Sequence, residues 1–205
     1  MTPLGARIIL MSREMLATDI DEVLFPFVEE FSKWHNEEYG TVFTVDDFHT
    51  YEFEQVLKEP VPEVVHRLRL FLHQDQGHVQ PVQGSQDSIA RIGEAHDLAA
   101  ITARHPELEN PTRAYLLRYF RDNLASLTLV GHKETVKIVR TKAEVCQEIG
   151  AIALVDDSIS HVKGCAEAGI QGVLFGEYPW NKCEVLPSGV VRCKDWRQVE
   201  EVLGV

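Results

Sequence analysis

The chain has 205 residues, of which 44% are hydrophobic, and its formal net charge at pH 7 is −12. A chain of this length and composition can bury a hydrophobic core, and it predicts one soluble domain with room for an insertion. The acidic balance argues against a nucleic-acid polymer as the partner, because such a partner needs a broad basic surface.

The first convincing element is a short apolar run at 15–18 that leads into two aspartates, Asp19 and Asp21. The run predicts a buried strand of a parallel sheet, so both carboxylates lie at its carboxyl end, where open α/β sheets bind ligands. Two carboxylates this close repel each other unless a cation or a proton intervenes. A hard ion such as Mg²⁺ fits them, provided that another acid joins from elsewhere in the chain. The preceding apolar piece at 8–11 is compatible with an edge strand or an arm.

The next part of the chain carries helical patterns and no strand signal. Apolar and aromatic residues recur at helical spacing from Phe27 to Tyr39, and Gly40 predicts the end of this helix. Thr44 predicts the N-cap of a second, short helix. A third helix is predicted over 64–72.

Strands and helices then alternate to the end of the chain. The predicted strands are 98–101, 127–130, 152–155 and 170–175, and the helices between them begin at the capping residues Ser85, Asn110 and Thr141. A last helix is predicted after Asp195, packed at the sheet edge. This alternation predicts an α/β fold with three layers around a Rossmann-like parallel sheet.

The helical segment at 25–84 is longer than a strand-to-helix connection needs. We therefore predict a small helical cap domain at 25–84. It is inserted after the first core strand into a core domain made of 1–24 and 85–205.

Polar groups follow two further strands of the predicted sheet. Thr102, Ala103 and Arg104 come after the second strand, and Asp156 and Asp157 come after the fourth. Because the carboxyl ends of parallel strands meet at one edge, we expect these groups to lie near the two aspartates of the first strand.

The order of these groups resembles the four motifs of the haloacid dehalogenase (HAD) superfamily. The motifs here are DIDEV at 19–23, ITAR at 101–104, Lys142 at a helix start, and VDDS at 155–158. One motif alone is a weak signal, but four in this order, each at the correct end of its element, are specific. The resemblance covers nearly the whole chain. Within the superfamily, the insertion and the sequence FGEYPWN resemble the 5′(3′)-deoxyribonucleotidase-like group.

The resemblance implies a HAD-like fold and a Mg²⁺-dependent phosphomonoester hydrolase. Asp19 is expected to be the nucleophile that forms an aspartyl-phosphate. Asp21 is expected to protonate the leaving alcohol and then to take a proton from the attacking water. The resemblance places Mg²⁺ on the Asp19 carboxylate, the Asp21 backbone carbonyl and the pair Asp156 and Asp157, and leaves open which of this pair binds it directly.

The resemblance also implies how the phosphoryl oxygens are held. Thr102, through its hydroxyl and the backbone amides nearby at Ala103, and Lys142, through its ammonium, are expected to bind them. Taken singly, Thr102 is an ordinary turn residue and Lys142 an ordinary surface lysine; a shared rim of acidic groups favours function. Lys133 and Lys137 lie nearby but lack the position of Lys142 at the helix start.

A (deoxy)nucleoside monophosphate is the finer substrate prediction. Phe27 matches in position an aromatic residue that deoxyribonucleotidases place against the substrate, and Tyr51 and Phe53 are expected to close over a base. Arg104 is a further candidate for substrate contact. Aromatic residues at helical spacing also pack as core, which is an equal alternative for Phe27 and the favoured interpretation for Phe31, Trp34 and Tyr39.

Two departures from the family pattern weaken the nucleotide prediction. Glu22 stands where the superfamily commonly has glycine, and Ala103 stands where deoxyribonucleotidases typically have serine. Both departures leave phosphatase chemistry in place.

Other readings of the motifs are less favoured. A dehalogenase is disfavoured by Asp21, since an oxygen leaving group is what needs this second carboxylate. A response-regulator receiver has its acidic pair first, and here the pair comes last. A non-catalytic phosphate-sensing or interaction module on the same fold remains the alternative.

The expected partner is a small phosphorylated molecule, with neither a nucleic-acid polymer nor a membrane. The apolar runs are too short to cross a membrane and the N-terminus lacks a signal-peptide pattern, which predicts a cytoplasmic location. The sequence leaves the oligomeric state open.

Overall fold

The structure is a computed structural model that describes residues 13–131 and 140–205. The apolar piece at 8–11 and the two lysines Lys133 and Lys137 lie outside the described residues. No helix within the described ranges is both long and apolar enough to cross a membrane.

Six parallel strands form one sheet in the order β3-β2-β1-β4-β5-β6. Their bounds are β1 Met15–Thr18, β2 Asp97–Thr102, β3 Ser126–Leu129, β4 Ala151–Asp156, β5 Gln171–Phe175 and β6 Val190–Cys193. The sequence predicts the first five of these to within one residue at each end. It does not predict β6, because this edge strand has four residues, two of them partly exposed, and so carries little periodic signal.

Eight helices connect and flank the strands in the described part of the chain. Three precede β2 in the helical segment 25–84: α1 Phe27–Tyr39, α2 Phe53–Leu57 and α3 Val61–Leu72. The others are α4 Ser85–Ala95, α5 Glu109–Phe120, α6 Lys142–Ile149, α7 Ile159–Glu167 and α8 Trp196–Leu203. A single 3-10 turn, Val45–Asp47, stands where the short second helix is predicted.

Several predicted helix ends are confirmed. Gly40 ends α1 in the left-handed conformation, with φ 68°. Thr141 caps α6 by accepting a hydrogen bond from the Glu144 backbone N–H at 3.1 Å, and the Glu144 carboxylate accepts the Thr141 N–H in return.

Two predicted caps are wrong. The N-cap of α4 is Gly84, which takes a left-handed conformation that glycine allows, and Ser85 is already the first helical residue. The start of α5 is Glu109 rather than Pro111, because a 3-10 turn at Pro106–Leu108 leads directly into the helix before Asn110 is reached.

The helices cover both faces of the sheet. Successive strand residues point to opposite faces, so Leu16 of β1 packs with α4, α5 and α8, while its neighbour Ala17 packs with α6 and α7. This is the predicted three-layer α/β fold with a parallel sheet.

Aromatic rings fill the helical segment 25–84. Phe31 is fully buried and its ring lies 5.8 Å from that of Phe27 and 5.6 Å from that of Phe71. Phe25 and Tyr115, with ring centroids 4.9 Å apart, continue this packing onto α5. The segment and the sheet therefore share one hydrophobic core. Tyr39, for which core packing is the favoured prediction, is 38% exposed and so lies at the border of this core.

Candidate active site

Four neighbouring strands place functional groups at one edge of the sheet. Asp19 follows β1, Ala103 follows β2, Asp157 follows β4, and Trp180 lies in a 3-10 turn after β5. These strands are adjacent in the sheet, so their carboxyl ends meet at a single rim. The groups that the sequence predicts at a shared rim are therefore brought together.

Lys142 joins two of the predicted aspartates. Its ammonium lies 2.7 Å from Asp19 Oδ2 and 2.7 Å from Asp156 Oδ2. All three side chains are buried, and the lysine reaches them because α6 begins at Lys142, directly after its Thr141 cap. Lys142 thus lies beside the nucleophile candidate, and its role as the phosphate-binding cation stays a prediction.

Burial and charge set the protonation behaviour of this group. Burial raises the pKa of Asp19 to about 7; Lys142 opposes the increase, and Asp156 and Asp21 add to it. Burial also acts on Asp156, but Lys142 and His161 outweigh it and hold the pKa of Asp156 below its usual value. Although burial lowers the pKa of Lys142, the two carboxylates raise it above the ordinary range, so the ammonium stays charged.

Asp156 has partners for both oxygens. Oδ1 accepts a hydrogen bond from the Ser158 backbone N–H at 2.8 Å, and His161 Nδ1 lies 3.2 Å from each oxygen. His161 projects from the first turns of α7. Ligand atoms of Asp19, Asp156 and His161 all lie within 4.8 Å of one another, close enough to share one metal ion.

Asp157 faces the helical segment instead. Its Oδ2 accepts a hydrogen bond from the Trp180 indole at 2.7 Å and one from the Tyr51 hydroxyl at 3.1 Å, and its backbone carbonyl accepts from Tyr51 at 2.7 Å. Burial raises the pKa of Asp157 well above its usual value, with Asp156 and Asp19 adding to the increase. Tyr51 thus binds Asp157 through its hydroxyl, and its predicted contact with a base stays a prediction.

Arg104 holds Asp21. Its guanidinium Nη2 lies 2.6 Å from Asp21 Oδ1 and its Nε lies 3.0 Å from Oδ2. Nη1 donates to the Thr112 hydroxyl at 3.1 Å, and the guanidinium carbon lies 5.1 Å from the centre of the Phe25 ring. The residue proposed from sequence as a substrate contact is therefore first of all a support for Asp21. A carboxylate has about four lone-pair sites, so Asp21 can still bind a further group.

Thr102 and Ala103 take different positions at the end of β2. Thr102 is fully buried, and its hydroxyl accepts a hydrogen bond from the Arg104 backbone N–H at 3.2 Å. Ala103 lines the cavities described below. The roles of both residues in phosphate binding stay predictions.

Glu22 has a structural explanation for its departure from the family pattern. Its backbone is left-handed, with φ 62°, a conformation that favours glycine. Its buried carboxylate accepts a hydrogen bond from the Val28 backbone N–H at 2.6 Å, in the first turn of α1. Pro26, at the N-cap position of α1, makes no side-chain cap, so Glu22 supplies one from outside the helix.

We expect Glu22→Ala to lower the free energy of unfolding by about 1 to 2 kcal/mol, because it removes this cap and keeps the left-handed strain. Glu22→Gly loses the same hydrogen bond but relieves strain of roughly 1 kcal/mol, so it should be less destabilising than the alanine variant. Urea unfolding of both variants in EDTA checks the order. An alanine variant at least as stable as the glycine variant would contradict the explanation.

Two cavities meet at Asp21. The first, called here the aspartate cavity, has a volume of about 170 Å³ and includes Asp19, Asp157 and Trp180 in its wall. The second, called the apolar cavity, has a volume of about 250 Å³ and runs between α3 and Arg104. Both cavities share a set of lining residues, Asp21, Phe27, Tyr51, Phe53 and Ala103. The aromatic residues predicted to contact the substrate therefore do line a space beside the aspartates.

The charges of this rim fit a bound cation. Five carboxyl groups lie together, those of Asp19, Asp21, Glu22, Asp156 and Asp157. The permanent cations paired with them in the described chain are Lys142 and Arg104. Burial raises the pKa values of Asp19, Glu22 and Asp157, and the neighbouring carboxylates add to the increase. Carboxylate oxygens are the donors that a divalent cation such as Mg²⁺ prefers, so these residues suit one.

The sequence analysis missed two side chains of the site. His161 follows Asp156 by five residues, which places it on α7 above the strand end. Trp180 lies after β5 in the sequence FGEYPWN, and its indole reaches Asp157. Their only sequence signal is position, because each comes just after a strand whose carboxyl end lies at this rim.

Comparison with known proteins gives structural matches only. No protein-family model matches the chain, and no curated protein matches it in sequence. A haloacid dehalogenase-like family hydrolase from Streptococcus pneumoniae superposes with a TM-score of 0.67 at 12% identity, over 93% of this chain and 98% of its own.

Two further structures carry ligands. A protein of the HAD-hydrolase type from Bacillus subtilis, bound to magnesium, gives a TM-score of 0.61 at 13% identity, over 95% of this chain and 100% of its own. A HAD family hydrolase from Deinococcus radiodurans, with bound phosphate and sodium, gives 0.60 at 14% identity, over 94% of this chain and 95% of its own. At such identities the likeness is one of fold. The chain has the Rossmann-type α/β fold of the HAD-like hydrolases.

Proposed function

We propose that the protein is a Mg²⁺-dependent phosphomonoester hydrolase that works through an aspartyl-phosphate on Asp19. The observation that carries the proposal is the cavity whose wall includes Asp19, Asp21 and Asp157, together with the contact at 2.7 Å between Asp19 and the buried ammonium of Lys142. Nucleophile, acid and base, cation and further carboxylates thus converge on one space. Further support comes from the HAD-like neighbours, of which one binds magnesium and another phosphate.

In the first step an Asp19 carboxylate oxygen attacks phosphorus. The bond from phosphorus to the leaving alcohol breaks, and Asp21 gives its proton to the alcohol oxygen. The backbone N–H of Ile20 donates to Asp19 Oδ1 at 2.7 Å, and Lys142 holds Oδ2, so the carboxylate is fixed in orientation before attack.

In the second step water attacks the phosphorus of the aspartyl-phosphate. Asp21, now a carboxylate, takes a proton from this water as the bond from phosphorus to Asp19 breaks. Inorganic phosphate leaves and Asp19 is restored. Arg104 fixes the Asp21 side chain through both steps.

The cation would be held by the Asp19 carboxylate, the Asp21 backbone carbonyl and Asp157. We favour Asp157 over Asp156 because Asp157 lines the same cavity as Asp19, whereas Asp156 is not part of that cavity wall. When bound, Mg²⁺ neutralises charge on the transferring phosphoryl group. Lys142, the Thr102 hydroxyl and the backbone amide of Ala103 hold the remaining phosphoryl oxygens in this proposal.

The resemblance to the deoxyribonucleotidase-like group adds a finer proposal, that nucleoside monophosphates are among the substrates. It is supported by the aromatic residues Phe27, Tyr51 and Phe53 in the cavity walls. One face of the Phe27 ring is already covered by the Phe31 ring, which lies nearly parallel to it. A base could therefore stack only on the other face of Phe27.

We expect phosphate release from phosphomonoesters in Mg²⁺ and none in EDTA. The panel includes 5′ and 3′ nucleoside monophosphates and sugar phosphates, with inorganic phosphate as the measured product. Calorimetry gives a second readout: Asp157→Asn should weaken Mg²⁺ binding, while Asp97→Asn, at the opposite end of β2, should not. Mg²⁺ binding without release from any ester would instead support the non-catalytic phosphate-sensing module.

A further inference from the structure

One face of α3 is apolar and borders the apolar cavity. Val61, Val64, Val65, Leu68 and Leu72 recur at helical spacing and line this cavity together. An apolar helix face usually packs on the core. Here Val64 and Leu72 pack on the core, while Val61 and Val65 do not.

Val61 and Val65 stay partly exposed and belong to none of the hydrophobic clusters formed by the described residues. Their side chains therefore contribute little to the core. Water in the cavity meets an apolar wall, and displacing it by an apolar group is favourable. An apolar group is therefore the kind of ligand that this wall favours.

Both arginines of this cavity wall are paired with carboxylates, and Glu54 adds a further carboxylate to the wall. Arg104 holds Asp21, and Arg69 forms an ion pair with Glu107 on the other side of the cavity rim. A second anionic group of the substrate, such as another phosphate, would have to compete with Glu107 or Asp21 for a guanidinium. The cavity therefore disfavours a leaving group that carries a second negative charge.

The position of Asp21 relates this cavity to the reaction. Asp21 lies in the walls of both cavities, with Asp19 on one side and α3 on the other. The leaving oxygen must reach Asp21 to take its proton, while phosphorus must reach Asp19. The rest of the alcohol then extends into the apolar cavity.

We propose that the substrate is a phosphate ester of an apolar, uncharged alcohol, whose carbon skeleton binds against the Val61, Val65 and Leu68 face of α3. The proposal rests on the proposed phosphomonoester hydrolase function and narrows its substrate class. It places the specificity of the enzyme in the helical segment 25–84, on a helix that carries none of the proposed catalytic groups.

A series of straight-chain alkyl phosphates tests this directly, because their leaving alcohols differ little in acidity. From ethyl to hexyl phosphate we expect kcat/KM to rise about three- to fourfold for each added methylene, until the cavity is full. Hexyl phosphate with a terminal hydroxyl should lose most of this gain. Glucose 6-phosphate and nucleoside monophosphates should fall below hexyl phosphate.

A matched pair of variants on α3 locates the effect. Val65→Asn places a polar group in the cavity wall and should lower the hexyl-to-ethyl ratio of kcat/KM by at least about fourfold, the value of one methylene. Leu70→Asn makes a similar change on an exposed position of the same helix, outside the cavity, and should leave the ratio unchanged. Urea unfolding of both variants checks that the fold is kept.

The outcomes separate this inference from the function on which it rests. If no phosphomonoester is hydrolysed, the proposed function fails. If esters are hydrolysed but kcat/KM is flat along the alkyl series, or if nucleotides exceed hexyl phosphate, the function stands and the apolar-alcohol proposal is wrong. An equal loss of the ratio in both α3 variants would also overturn it.

Discussion

Asp19→Asn is expected to abolish phosphate release from every phosphomonoester while the protein stays folded. An amide cannot replace the carboxylate as nucleophile, so no aspartyl-phosphate forms. Loss of a nucleophile in a coupled site lowers kcat by several orders of magnitude, roughly 10⁴-fold or more. Within the described chain, no other carboxylate of the rim is placed to compensate: Asp156 is held by Lys142, Asp21 by Arg104, Asp157 by Trp180, and Glu22 by the backbone N–H of Val28.

The same substitution should cost little stability. Burial and the neighbouring carboxylates disfavour the charged form of Asp19 in the folded state, so its pKa is raised. A neutral side chain of the same shape removes that repulsion, and Lys142 keeps its ion pair with Asp156. We expect the free energy of unfolding in EDTA to change by less than about 1 kcal/mol.

Steady-state phosphate release and urea unfolding check both parts of this prediction. Asp97→Asn is the control, because Asp97 begins β2 at the far edge of the sheet and its side chain is 44% exposed. Normal turnover in Asp19→Asn would contradict the mechanism in which Asp19 is the nucleophile. Loss of turnover together with loss of the fold would mean that Asp19 is needed for the structure, which contradicts the second part of the prediction.

Local signals explain why most of the fold could be predicted. Apolar runs of four to six residues mark the strands β1 to β5. Thr141 begins α6 through its side-chain cap, and Gly40 ends α1 because glycine allows the left-handed backbone. The N-cap of α5 could not be predicted in this way. A proline and an asparagine are compatible with a cap, but the preceding turn at Pro106–Leu108 decides where the helix begins.

The same distinction applies to the site. Asp19, Asp21, Asp156 and Asp157 follow strands, and strand ends are readable from the sequence. The partner of each carboxylate cannot be read from the sequence in this way, because it comes from a distant part of the chain. Arg104, after β2, binds Asp21, and Trp180, after β5, binds Asp157.

Tyr51 shows the limit of an argument from residue type. An aromatic ring is suited to a nucleobase, which is why it was predicted to contact one. Its hydroxyl donates to Asp157, so the residue joins the helical segment to the rim of the sheet, while its ring lines both cavities and its contact with a base stays a prediction. Hydrogen bonding of the polar end decides its position, and only the tertiary structure gives the acceptor.

Lys142→Met has the largest expected effect on stability. The lysine side chain is 1% exposed and its ammonium bridges Asp19 and Asp156, so methionine fills the space but leaves two buried carboxylates without their cation. The raised pKa of Lys142 shows that the ion pairs outweigh the cost of its burial. Removing one partner of such a buried pair typically costs about 3 to 5 kcal/mol. Phosphate release should fall as well, since the cation expected to hold the phosphoryl group is gone.

Urea unfolding in EDTA measures this cost, and two further variants show its origin. Lys163→Met removes an exposed lysine that lies 3.7 Å from Glu167, and it should change the free energy of unfolding by less than about 1 kcal/mol. Adding Asp156→Asn to Lys142→Met removes one of the orphaned charges and should restore part of the lost stability without restoring activity. Full stability in Lys142→Met alone would mean that water or another cation already satisfies Asp19 and Asp156. The arrangement of Lys142 between them would then contribute to catalysis alone.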